Sequence, residues 1–181
     1  MIDSPRVDSL SAAWGRLLEA LAFAACAVVL AMTLMICADV LLRNVRLIPG
    51  VQGLAWSNEA SEWMLYLVTM LAAPWLLRRG QHIRVDIVLR VLPPRIGWYC
   101  EWVADAIGFA CCLAMAYYGM HAVAASFTGG SLSIKTLVMP EWWILLPLPV
   151  AFVLLAVEMV FRMRRLYQGV RAPRDDAVTA G

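Results

Sequence analysis

Four stretches of the chain are almost continuously apolar, and the charged residues collect between and beyond them. From Ala20 to Ala38 there is no charged residue, no Gly and no Pro, and the apolar run extends to Leu17 on one side and Leu42 on the other. A helix rises about 1.5 Å per residue and the hydrocarbon core of a bilayer is about 30 Å thick, so roughly 20 such residues suffice to cross it. The same reading predicts further spans over 60–77, 102–127 and 141–161. Prolines punctuate two of them. Pro74 predicts a kink near the end of the second span, Pro140 suits the first helical position of the fourth, and Pro147 and Pro149 predict that the fourth is bent or loosened. The pattern describes an all-α membrane protein with four transmembrane helices. Its membrane domain covers 17–167, after an N-terminal segment over 1–16 and before a polar, small-residue-rich tail over 168–181 that is expected to be disordered.

The segment over 83–95 belongs to neither class, being too apolar for a free loop and too rich in arginine to cross. As a helix it sets Asp86 and Arg90 one turn apart, with Ile83, Ile87 and Val91 along an adjoining apolar stripe and Pro93-Pro94 ending it. A short interfacial helix between the second and third spans is the favoured reading, with Arg84 snorkelling out of the apolar arc. An extended linker is the rival, from the alternation Ile83-Arg84-Val85-Asp86-Ile87.

Charge gives the orientation. Of the 15 Lys and Arg, only Arg43, Arg46 and Lys135 fall on one side; the rest precede span one, lie between spans two and three, or follow span four. Because cytoplasmic loops retain positive charge, both termini and the middle segment are expected to be cytoplasmic. The 8 tryptophans agree, all falling near predicted span ends, where amphipathic rings prefer to sit.

Composition excludes whole classes. Hydrophobic residues make up 62% and charged residues 15% of the 181 positions. Soluble domains run near 45–50% and about 25%, so a soluble fold is ruled out and too little chain is left for a separate one. The 5 cysteines sit in or beside apolar stretches without zinc-type spacing and read as reduced packing residues. Asp3 and Asp8 and the length of the first apolar run argue against a cleaved signal, so the first span is expected to remain as an anchor.

Ionisable residues at mid-depth usually mark a transport pathway, and none is found here. Glu19, Asp39, Glu59, Glu62, Asp105, Glu141 and Glu158 all lie within a few residues of a span end, while Thr33 and Thr69 read as interhelical hydrogen-bond donors. Haem ligation fails because His82 and His121 lie about 28 Å apart in depth. No Ser, Cys and His combination shares one depth, so no catalytic, substrate or metal residue is assigned and no cofactor is implied. A charge cluster remains at the outer ends: Asp39, Arg43, Glu59, Glu62 and Lys135. It either closes salt bridges within the chain, with Arg43 or Lys135 as the cation, or presents acids to another subunit. Gly108, Ala110, Ala114 and Ala116, or Ala22, Ala25 and Ala27, offer close backbone approach to a partner or within the chain.

Three runs carry a resemblance: Asn58-Glu59-Ala60-Ser61-Glu62-Trp63, then Leu71-Ala72-Ala73-Pro74-Trp75, then Arg78-Arg79-Gly80-Gln81-His82-Ile83-Arg84-Val85-Asp86. In order and spacing the chain resembles the small permease (Q-type) subunit of tripartite ATP-independent periplasmic (TRAP) transporters, from roughly Leu17 to Tyr167. Arg43, and the approach from Lys135 through Pro140 to Pro147, extend the similarity. Glu62 departs from the family pattern, where arginine is common, so no Glu–Arg pair is carried over. The resemblance implies a bacterial inner-membrane scaffold for a large elevator-type permease, in ion-gradient-driven uptake of an organic acid delivered by a periplasmic binding protein. It implies these partners and membrane lipids, no nucleic acid, no enzymatic activity and no substrate residue in this chain. Arg78, Arg79, His82, Arg84 and Asp86 are then expected to anchor the chain on lipid head groups or on the partner. The rival functions are a self-sufficient four-helix exporter, disfavoured because Glu19 lies at the membrane edge, and a membrane assembly factor.

Overall fold

The computed structural model describes residues 5–44, 53–80, 94–134, 136 and 138–168. The interfacial segment expected at 83–95 lies outside the described residues up to 93, as does the tail from 169.

Helix α1 spans Pro5–Asn44, α2 Ser57–Arg78 and α3 Pro94–Gly129. A two-stranded antiparallel hairpin, β1 (Leu132–Ile134) and β2 (Val138–Pro140), leads into the short α4 (Glu141–Leu145) and then α5 (Pro147–Gln168). Every predicted span lies inside a helix or, for the fourth, inside the α4–α5 pair, and among the described residues four helical segments are long and apolar enough to cross a membrane. The helices outrun the predicted spans because hydropathy marks only the part matched to lipid, whereas backbone hydrogen bonding continues into polar flanks. The start of α3 at Pro94 shows this most clearly, since Pro is favoured in a first helical turn, where its missing N–H has no partner to lose.

Two proline expectations resolve differently. Pro140 does not open a helix: at φ −61°, ψ 126° it ends β2 in extended form as the residue before α4. Pro147 instead takes the first position of α5 after the break at Leu146, so the fourth span, expected to be bent or loosened, is divided into two helices. The hairpin itself was not visible in the sequence, because three-residue strands are too short to show an alternation. Its pairs are Leu132 with Pro140, Ser133 with Met139 and Ile134 with Val138. The Glu141 N–H, donating to the Ser131 carbonyl at 3.1 Å, ties its base to α4. Helix α2 continues through the buried Pro74.

Helix α3 packs along α5, α5 along α2, and α2 along α1, giving the lateral order α1, α2, α5, α3 with α1 and α3 at the ends. The sequence dictates which face each end helix buries. On α3 a stripe of Glu101, Asp105, Cys112, Val123 and Ser126, at helical spacings, is buried. Gly108 and Gly119 lie on it where α5 approaches: a Cβ on Gly119 would lie 2.6 Å from Leu148 Cδ2 and 3.3 Å from Pro149 Cδ. In lipid, apolar contact confers no hydrophobic advantage, so such close approach is what holds helices together. The opposite face leaves Tyr99, Val103, Ile107 and Tyr117 exposed, and α1 leaves Phe23, Leu30, Leu34 and Leu41 exposed. Only 6% of the apolar window of α1 and of α3 is buried within the chain, against 22% for the last span. The end helices therefore present long apolar faces to lipid or protein outside this chain.

Candidate functional site: charged layers at the two ends of the helices

The ionic side chains gather in two layers. The 22 residues of α2 run from one layer to the other, roughly 33 Å, which matches the thickness of the hydrocarbon core.

The first layer centres on Glu158 of α5, whose side chain is wholly buried. Arg78, the last residue of α2, places Nη1 3.2 Å from Glu158 Oε2, and Trp14 of α1 donates from Nε1 to the same oxygen at 3.2 Å. Arg165, two turns along α5, pairs with Glu158 Oε1. The Arg78 Nη2 also donates to the Ser11 carbonyl at 2.9 Å, bringing α1, α2 and α5 onto one carboxylate. Gly15 allows it: a Cβ there would lie 3.0 Å from Arg78 Nη2. Beside this knot, Asp105 of α3 pairs with Arg162 of α5 at 3.0 Å, both largely buried. Three buried carboxylates (Glu101, Asp105, Glu158) thus share a layer with three arginines (Arg78, Arg162, Arg165). A carboxylate removed from water is tolerable only when so compensated.

The second layer centres on Asp39 of α1. Arg43 Nε donates to Asp39 Oδ2 at 2.9 Å, the Ser57 hydroxyl donates to the same oxygen at 3.0 Å, and the Leu54 N–H donates to Oδ1 at 2.6 Å. One carboxylate on α1 therefore holds the chain that leads into α2. Gly53 at φ 97° makes the turn, and a Cβ there would meet Arg43 Cγ at 2.7 Å. Glu59 is buried in the first turn of α2, where a negative charge suits the helix start. Across the row, the Ser126 hydroxyl donates to Glu141 at 3.3 Å.

No Asp, Glu, Lys or Arg occupies the middle of any span. Thr33 and Thr69, expected to donate between helices, instead donate to the carbonyls of Val29 and Leu65 one turn back on their own helices, at 2.9 Å each. His121 is exposed on α3.

Of the expected anchor, Arg78 is turned into the Glu158 knot, whereas Arg79 is exposed with its guanidinium 5.0 Å over the Trp75 ring. His82, Arg84 and Asp86 lie outside the described residues. Of the charge cluster expected at the outer face, Asp39 and Arg43 pair with each other, Glu59 is buried, Glu62 is exposed, and Lys135 lies outside the described residues. The Glu158 layer is what sequence reasoning missed. Its signal was present: Glu158, Arg162 and Arg165 recur at helical spacing on α5, a pattern that places one acid and two cations on one face.

Among the described residues, four helical segments long and apolar enough to cross a membrane, with their charges near the ends, define a multi-pass membrane protein. Residues 32–169 match the family described as tripartite ATP-independent periplasmic transporters, DctQ component, and the chain belongs to that family, a transporter component. It is also similar to the sialic acid TRAP transporter permease protein SiaT of Haemophilus influenzae (strain 86-028NP), at 26% identity over 110 residues. That similarity covers 60% of this chain and 17% of the Haemophilus protein, so the chain spans well under two thirds of its relative.

Proposed function

We propose that this chain is the stationary brace of a TRAP transporter in a bacterial inner membrane, with both termini cytoplasmic. It extends the scaffold of a much larger elevator-type permease, which carries the substrate and coupling-ion sites. The system takes up an organic acid delivered by a periplasmic binding protein and driven by an ion gradient. The observation that carries this reading is the family match across 32–169 in a chain whose span centres have no charge. A brace requires rigidity at both membrane surfaces, and the two charged layers supply it. The Haemophilus permease, of which this chain resembles a small fraction, fits a small component that works beside a larger one. The long apolar faces of α1 and α3 are suited to that association, and the arginine distribution supports the orientation. In this reading Arg79, with His82, Arg84 and Asp86 beyond it, fixes the depth of the chain, while Arg78 stiffens the helix row through Glu158.

The test is co-expression with a large TRAP permease subunit, followed by purification through a tag on the small chain. A stable complex in equimolar amounts is expected. Recovery of the small chain alone, under detergents that keep it folded, contradicts the proposal.

A further inference from the structure

Between α1 and α2 lies a groove of about 600 Å³ whose walls are apolar except at one end. From Glu19 to Val29 on α1, and from Arg79 back to Val68 on α2, it extends roughly 15 Å, the depth of one leaflet's hydrocarbon. Its floor is made by small residues, Ala22 and Ala72 among them. Glu19 and Arg79 stand at the mouth, level with the Glu158 layer, because Gly15 and Arg78, close to them in sequence, are in contact. Both are exposed. Among the described residues Glu19 has no hydrogen bond or ion pair, and Arg79 is steadied only by the Trp75 ring.

We infer that this groove is a binding site for one phospholipid with a primary-amine head group. An acyl chain matches the length and apolar walls of the groove. The Arg79 guanidinium takes a phosphate through charge-assisted hydrogen bonds, and the Glu19 carboxylate takes the ammonium. One cation and one anion at a single mouth complement a zwitterionic head; an anionic head lacking an amine satisfies Arg79 but faces repulsion from Glu19. This goes beyond the brace reading and does not depend on it, since it requires only that α1 and α2 cross a bilayer.

The experiment is native mass spectrometry of the full chain released from nanodiscs of equal phosphatidylethanolamine and phosphatidylglycerol, combined with a photo-crosslinking residue at Ala22 in cells. The parent chain is expected to retain one phosphatidylethanolamine, with at least a fivefold preference. Glu19→Gln, at an exposed position, should keep a bound lipid but lose the preference. Ala72→Phe, which fills the groove, should lose the retained lipid, and helical content by circular dichroism reports whether it is folded. The crosslinker should label lipid. Equal retention of both lipids by the parent chain, an unchanged preference in Glu19→Gln, or crosslinking at Ala22 to a protein instead of lipid overturns the assignment.

Discussion

Replacing Glu158 by alanine removes the carboxylate on which three helices converge. Loss of one partner from a buried ion pair costs about 3–5 kcal/mol when the other charge stays buried. The full figure does not apply here, because the Arg78 side chain keeps 22% exposure and its bond to the Ser11 carbonyl, and Arg165 keeps 44%. Exposed members of such pairs contribute little. The lost Trp14 bond adds about 1 kcal/mol. About 2–3 kcal/mol of destabilisation is therefore expected for Glu158→Ala. Glu158→Gln retains an acceptor for Trp14 and should cost about half of that. Reversible unfolding of the purified chain in mixed detergent–SDS micelles, followed by tryptophan fluorescence, measures both. A cycle with Arg78→Met isolates the pair, with an expected coupling of about 1–2 kcal/mol. Glu158→Ala within about 0.5 kcal/mol of the parent, or a coupling near zero, would refute the claim that this knot stiffens the row.

Gly53→Ala should destabilise the α1–α2 connection by about 1–3 kcal/mol, because φ 97° is strained for alanine and the new methyl meets Arg43 and Asp39; the same unfolding assay checks it. The α3–α5 seam offers a paired test by thermal stability in detergent. Gly108→Ala should stay within about 0.5 kcal/mol, since its Cβ meets only the flexible end of Met159 at 2.9 Å, whereas Gly119→Val, pressed against Leu148 and Pro149, should lose about 1–3 kcal/mol. Cysteines placed singly at Thr136 and Tyr167, in an otherwise cysteine-free chain, should label from opposite sides of the membrane in intact cells; labelling from the same side contradicts the topology.

The spans were legible because a bilayer demands long, uninterrupted apolar helices, and Ala20 to Ala38 admits no other structure there. The Asp39–Arg43 pair was legible for a related reason, since a one-turn spacing on a helix places two side chains together. What escaped were relations between helices. Glu158 looked like an acid near a span end, and nothing local shows that Arg78, 80 positions away, comes to meet it. The lateral order of the helices was equally hidden, because it depends on where Gly15, Gly108 and Gly119 let neighbours approach, and a small residue in a sequence does not name its neighbour. The hairpin before α4 was missed because its strands are shorter than any period.

In the proposed reading, solute moves through a companion polypeptide, with this chain as its fixed support. Reconstituting the chain into liposomes, with and without the large permease and the periplasmic binding protein, and following ion-gradient-driven uptake of radiolabelled organic acid tests it most directly. No uptake by the small chain alone, uptake by the full set, and a large loss of uptake when the small chain is omitted are expected. Uptake by the small chain alone, or undiminished uptake without it, would show that this chain is not a fixed support for a separate permease.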